Sequence, residues 1–167
     1  RALKKRGRPF KGLLFPGVML TKYGPMVIEF NARFGGPETQ SYMRLMKSDI
    51  VPALLASAKG DLSGVTLEWN DGAVGCIILA SGGYPGTYEK GKEISGIEGA
   101  SGAEVVVFHA GTKRDMDTLV TNGGRVLAVT ATGTNLKEAL DRAYEGTGNI
   151  SFEGKQLRRD IGKSVLS

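Results

Sequence analysis

Two apolar stretches, Gly12–Thr21 and Pro25–Asn31, flank the turn Lys22-Tyr23-Gly24, and the pair predicts a β-hairpin. In the second stretch Glu29, Asn31 and Arg33 recur at period two. That spacing puts them on one face of an extended chain and turns Phe30 toward a core on the other. Phe34-Gly35-Gly36-Pro37 then forces a sharp, irregular turn. From 38 to 60 a loose stripe of Met43, Leu45, Met46, Ile50, Leu54, Leu55 and Ala58 predicts helix. Ser48 and Asp49 are placed to cap a second helix there, Pro52 fits its first turn, and Gly60 is the stop. Beyond Asp61 the pattern changes to short strands and glycine turns, with strands expected at 65–69, 73–80, 105–109 and 125–132. Leu136, Ala139, Leu140, Ala143 and Tyr144 follow helical spacing behind the caps Thr134 and Asn135. Residues 152–161 carry a final strand or loop, and the natural boundary in the chain falls near 61–64.

Composition narrows the class. The chain has 167 residues, 41% of them hydrophobic, which suffices for a packed core and excludes a disordered chain. Its apolar runs, such as Cys76–Ala80, are far shorter than the roughly 20 residues a membrane helix needs. No charged-then-apolar leader is visible, and one cysteine with apolar neighbours reads as a buried thiol in a reducing cytosol. The net charge of +5 suggests nucleic acid until it is divided along the chain. Residues 1–11 hold Arg1, Lys4, Lys5, Arg6, Arg8 and Lys11 and no acid, so the remainder is nearly neutral. The basic character is one short run, expected as a solvated loop; the competing reading is an arm for an A·T minor groove.

The most chemical stretch is Glu29–Arg33. A carboxylate and an amide oxygen on one face are hard ligands suited to Mg²⁺, and an arginine two residues on can brace a phosphate or an anionic transition state. Polar alternation alone also describes a wet strand face. His109 lacks a recognisable nucleophile partner, and the glycine turns Gly82–Gly86 and Asn122–Gly124 read equally as phosphate cradles or hairpin turns. Arg159 and Asp160 either pair with each other or face substrate.

A longer pattern goes further. Val27-Ile28-Glu29-Phe30-Asn31-Ala32-Arg33-Phe34-Gly35 with Pro37-Glu38-Thr39-Gln40 resembles the end of the ATP-grasp domain in glycinamide ribonucleotide synthetases (phosphoribosylamine–glycine ligases). Leu45–Asp49, Ala80–Gly86, Phe108–Thr112, Val120–Leu127 and Arg159–Gly162 follow in the family's order and spacing. The resemblance implies an α+β chain: residues 1–61 ending an ATP-grasp domain with its linking helices, and 62–167 a small β-rich, barrel-like C-terminal domain with one helix. It implies ATP-dependent ligation of glycine to 5-phosphoribosylamine through a glycyl phosphate, in cytoplasmic purine synthesis. Glu29 and Asn31 match the family's ligands for Mg²⁺ or Mn²⁺, and Arg33 is the expected catalytic residue at the acyl phosphate. Pro37, His109 and Arg125 are the expected substrate-binding residues. Two departures stand out: Gly36 replaces the aspartate usual in the family, and Phe15–Thr21 offers no acidic metal ligand. The implied partners are ATP, glycine, phosphoribosylamine and the family's N-terminal portion, with no membrane and no specific nucleic acid, and this chain alone is expected to be inactive. The rival functions are a nucleic-acid-binding module led by the basic arm and an ATP-grasp carboxylase of purine synthesis.

Overall fold

A computed structural model describes residues 2–166; Arg1, counted in the basic run, lies outside them. The chain divides into two compact units, one of residues 1–39 with 46–69 and the other of 40–45 with 70–167.

In the first unit, α1 (Ala2–Lys5) is a single exposed turn, so the basic run begins as helix before it becomes loop. The expected hairpin forms from β1 (Phe15–Thr21) and β2 (Gly24–Asn31). Its register pairs Phe15 with Asn31 and Gly17 with Glu29, then shifts between Gly17 and Val18 so that Val18 meets Val27. Thr21 closes the turn: its hydroxyl donates to the Gly24 carbonyl at 2.9 Å and accepts from the Tyr23 amide at 3.1 Å. Phe30 does not enter a core; 65% of its surface is open, because two strands alone supply no layer to receive it.

The helical stripe forms two helices, α2 (Glu38–Leu45) and α3 (Ile50–Lys59). The Asp49 side chain accepts from the Val51 amide at 2.9 Å, and Gly60 ends α3 in the left-handed region at φ 82°. Ser48 is not a cap. Its hydroxyl accepts from the Glu68 amide at 2.6 Å, while the Lys47 and Ser48 amides both donate to the Glu68 carbonyl. Those bonds take both backbone pairing groups of Glu68, and the strand expected at 65–69 reduces to one bridge, Met46 to Trp69.

The second unit is built on β3 (Ala73–Ala80), β4 (Val105–His109) and β7 (Arg125–Gly133), antiparallel in the order β3-β7-β4. The central strand is buried from Val126 to Ala131. The helix α5 (Leu136–Asn149) packs on it, with Ile77, Ala131, Leu140 and Ala143 at one end of the core. Leu79, Leu127, Val129, Ile150 and Phe152 fill the other. Gly75 permits this close approach, since a Cβ there would lie 2.9 Å from Leu140 Cδ2.

A short helix, α4 (Ile97–Ala100), precedes β4. A second hairpin, β5 (Thr112–Asp115) with β6 (Thr118–Thr121), was not expected from the pattern, because Thr-Lys-Arg-Asp has no apolar alternation. Isolated bridges from Ala80 to Gln156, Ser95 to Ser151 and Glu93 to Val120 carry the pairing from β3 round to that hairpin, which accounts for the barrel-like character. Residues 152–161 form a loop, followed by α6 (Lys163–Leu166).

Two further expectations change. Cys76 is half-buried rather than buried, on the face of β3 opposite Ile77 and Leu79, and the Thr130 hydroxyl donates to its sulfur at 3.2 Å. Asp160 pairs with Arg158, not Arg159, through two bonds of 2.9 and 2.7 Å, and that guanidinium holds its carboxyl below the usual range.

Candidate functional site

The ribbon of β1 and β2 displays the Glu-x-Asn pair. Directly paired residues share a face of an antiparallel ribbon, so Phe15, Gly17, Glu29 and Asn31 lie on one side. A Cβ at Gly17 would stand 3.1 Å from Glu29 Cγ; the glycine leaves the room that the glutamate side chain occupies. Asn31 Nδ2 donates to Glu29 Oε1 at 3.0 Å, which fixes the two side chains together at the surface. Arg33 lies past the strand end in a bend rather than on the same extended face, and its guanidinium donates to the Phe34 carbonyl at 3.1 Å. The chain then passes through buried Gly35 and the cis bond Gly36–Pro37 into α2. The Thr39 amide and hydroxyl both bond the Gly35 carbonyl, so Pro37 sits half-buried in a closed turn.

This arrangement fits a hard divalent cation. After the internal bond, Glu29 retains one carboxylate oxygen and Asn31 its amide oxygen as hard oxygen donors. Among the described residues no cluster of three His, Cys, Asp or Glu side chains forms a metal cage. Mg²⁺ suits such a pair, because it keeps most of its positions for water and phosphate.

In the second unit His109 and Arg125 come to adjacent turns. The Gly111 amide donates to the Arg125 carbonyl at 2.8 Å, and the Asn122 amide donates to the Gly111 carbonyl at 2.7 Å. A Cβ at Gly111 would fall 2.6 Å from that Arg125 oxygen and 2.7 Å from Gly123 Cα, so the two glycine turns interlock. Ser81 braces them further, its amide on the Gly124 carbonyl and its hydroxyl on the Gly123 carbonyl, both at 2.8 Å. The His109 ring meets the Thr112 hydroxyl at 3.1 Å and lines a cleft of about 670 Å³ between the 93–98 segment and the β5–β6 hairpin. Lys113 and Arg114 line it as well, together with Glu93, Glu98 and Asp117, and Lys113 pairs with Asp115 at 3.5 Å. Sequence reasoning singles out His109 and passes over this basic pair; two adjacent cations just after the His-Ala-Gly turn were the available signal.

The structure thus brings Glu29 and Asn31 into contact and places His109 and Arg125 on neighbouring turns. The family to which the chain belongs comes from likeness to known proteins. Two family models match the chain: the phosphoribosylglycinamide synthetase C domain over residues 74–164, and the ATP-grasp (A) domain of the same synthetase over residues 1–39. The chain belongs to the phosphoribosylglycinamide synthetase family.

Curated members of the family agree. A phosphoribosylamine–glycine ligase of Chlorobaculum tepidum is 49% identical over 165 residues, spanning 98% of this chain and 39% of the relative. One from Synechocystis is 44% identical over 167 residues, 99% of this chain and 40% of the relative. Among solved structures, the phosphoribosylamine–glycine ligase of Thermotoga maritima superposes with a TM-score of 0.80 at 38% identity, covering 95% of this chain and 39% of its own. The biotin carboxylase domain of Hydrogenobacter thermophilus 2-oxoglutarate carboxylase, solved with MgADP, ADP and bicarbonate, reaches 0.64 at 14% identity over 97% of this chain and 38% of its own. That second likeness speaks for the fold alone. The chain therefore spans about two fifths of the length of the family members it matches, and the expected α+β fold holds. No helix of the described residues is long and apolar enough to cross a membrane.

Proposed function

We propose that the polypeptide carrying this chain joins glycine to 5-phosphoribosylamine, converting ATP to ADP and phosphate and yielding glycinamide ribonucleotide in cytoplasmic purine synthesis. The observation that carries this reading is the pairing of a synthetase family match with a Glu29–Asn31 couple held on one face of a ribbon. A free carboxylate is a poor acyl donor. Transfer of the ATP γ-phosphoryl group to the glycine carboxylate supplies a leaving group, and the phosphoribosylamine nitrogen then attacks the acyl carbon while phosphate departs.

In this scheme Glu29 and Asn31 hold Mg²⁺ or Mn²⁺, which when bound neutralises charge on the ATP phosphates. Arg33 steadies the acyl phosphate as charge builds on its oxygens. Pro37 shapes the loop beside it, and His109 and Arg125 contact the substrates. Functionally, residues 1–61 close the ATP-grasp domain and 62–167 form the C-terminal domain. The remainder of the polypeptide supplies the adenine clamp and covers the apolar faces of the β1–β2 ribbon, consistent with relatives more than twice this length.

The test is turnover in the full-length polypeptide. Glu29→Gln and Asn31→Ala should each lower kcat about a hundredfold and raise the Mg²⁺ requirement, with the circular-dichroism spectrum unchanged. The 167-residue chain alone should form no product. Normal turnover of both variants at low Mg²⁺ removes the pair from the metal shell, and ligation by the chain alone overturns the division of labour.

A further inference from the structure

We infer that Glu38 is a catalytic carboxylate of the same face, holding the substrate amine and taking the proton it sheds as it attacks. The inference rests on the ligase reading above. Phe15, Glu29 and Asn31 lie on one side of the ribbon through their pairing. Gly35 brings the following loop to that side: a Cβ there would lie 2.8 Å from Phe15 Cε1 and 2.5 Å from Glu38 Oε2. The Glu38 carboxylate is therefore folded back toward the Gly35 backbone, on the side where the ring of Phe15, the pairing partner of Asn31, also approaches. Buried Gly35 is what allows this, since any side chain would displace both neighbours.

As the acid of the first turn of α2, Glu38 lies well with the helix dipole and could also accept from the amides of that turn. No such bond forms, and among the described residues the carboxylate has no hydrogen-bond or ion-pair partner. It is an open acceptor five residues after Arg33, the residue assigned above to the acyl phosphate. The proton balance of the reaction needs one. As the nitrogen lone pair forms the new C–N bond, the C–O bond to phosphate breaks and phosphate leaves with that electron pair. The nitrogen then carries one proton too many, and Glu38 accepts it.

The experiment uses the full-length polypeptide with Glu38→Gln, which keeps the shape and removes the charge. Two readouts separate the steps: kcat/KM for phosphoribosylamine, and ¹⁸O scrambling from bridging to non-bridging positions of ATP with glycine but no amine. The first should fall about a hundredfold and the second far less, with ADP formed in excess of product. Glu38→Asp should recover part of the loss. Amine kinetics unchanged in Glu38→Gln, or both readouts falling together as a misplaced loop would cause, overturns the inference. A wild-type polypeptide that forms no glycinamide ribonucleotide takes down the ligase reading and this inference with it. An active wild type with an indifferent Gln variant sinks only the latter.

Discussion

The two units treat the same kind of apolar residue in opposite ways. In the second, Leu79, Leu127 and Val129 are fully enclosed, whereas in the first Leu20 is 82% exposed, Ile28 66% and Phe30 65%. The difference is one of layers. Three strands with a 14-residue helix across them enclose a core, and a central strand buried on both faces follows from that. Two strands have two faces and nothing of their own to cover either. The Glu29–Asn31 pair thus sits on a scaffold whose apolar side chains stay exposed, and the glycine turns around His109 and Arg125 sit on one built over an enclosed core.

The sharpest way to break that comparison is to remove a leucine from each unit. Leu127→Ala in the 167-residue chain should cost about 3 kcal/mol, because the enclosed site cannot collapse around the lost atoms. Leu20→Ala should stay within about 0.5 kcal/mol. Urea midpoints measure both, and equal losses would show that the first unit has a core after all. A second substitution sharpens the point. Phe30→Ala should be nearly silent in this chain but lower the apparent Tm of the full-length polypeptide by about 2–4 °C, provided the remainder covers the ribbon. A silent effect in both would mean that the Phe30 face stays open to water.

These contrasts also explain what could be read from the sequence. The strands at 73–80 and 105–109, the strand expected at 125–132 and the helix behind Asn135 were legible because burial on at least one face leaves a periodic apolar pattern. Asp49 and Gly60 were legible as caps for a local reason: their side-chain and backbone geometry needs no distant partner. The strand expected at 65–69 failed because a turn twenty residues away took the Glu68 amide and carbonyl, and no local signal encodes that. The β5–β6 hairpin was hidden by Thr112–Asp115, which is polar throughout. At the candidate site, period-two spacing anticipated that Glu29 and Asn31 share a face, but not their contact or the bend that takes Arg33 off it. The position of Glu38 depends on how Gly35 folds against Phe15, which spacing cannot show.

The smallest predicted effect lies at the start of α5, inside the unit with the enclosed core. Asn135 caps the helix by accepting from the Glu138 amide at 3.0 Å, and Glu138 answers by taking two bonds from Thr134, from its amide at 2.7 Å and its hydroxyl at 2.6 Å. Arg142 donates to the other carboxylate oxygen at 2.6 Å. The Thr134 bonds come first in holding the Glu138 carboxyl below its ordinary value of 4.5, with the Arg142 charge adding to them. A carboxyl with a lowered folded-state pKa contributes stability that is fully present above the unfolded value and is lost as the pH falls through the folded one. Glu138→Gln removes the charge at every pH, so the gap between the two urea midpoints should be constant from pH 7 to about 5 and close as the pH drops below the usual glutamate range. A gap of the same size at pH 7 and pH 3.5 would mean that the Gln variant loses packing or geometry rather than the charged cap.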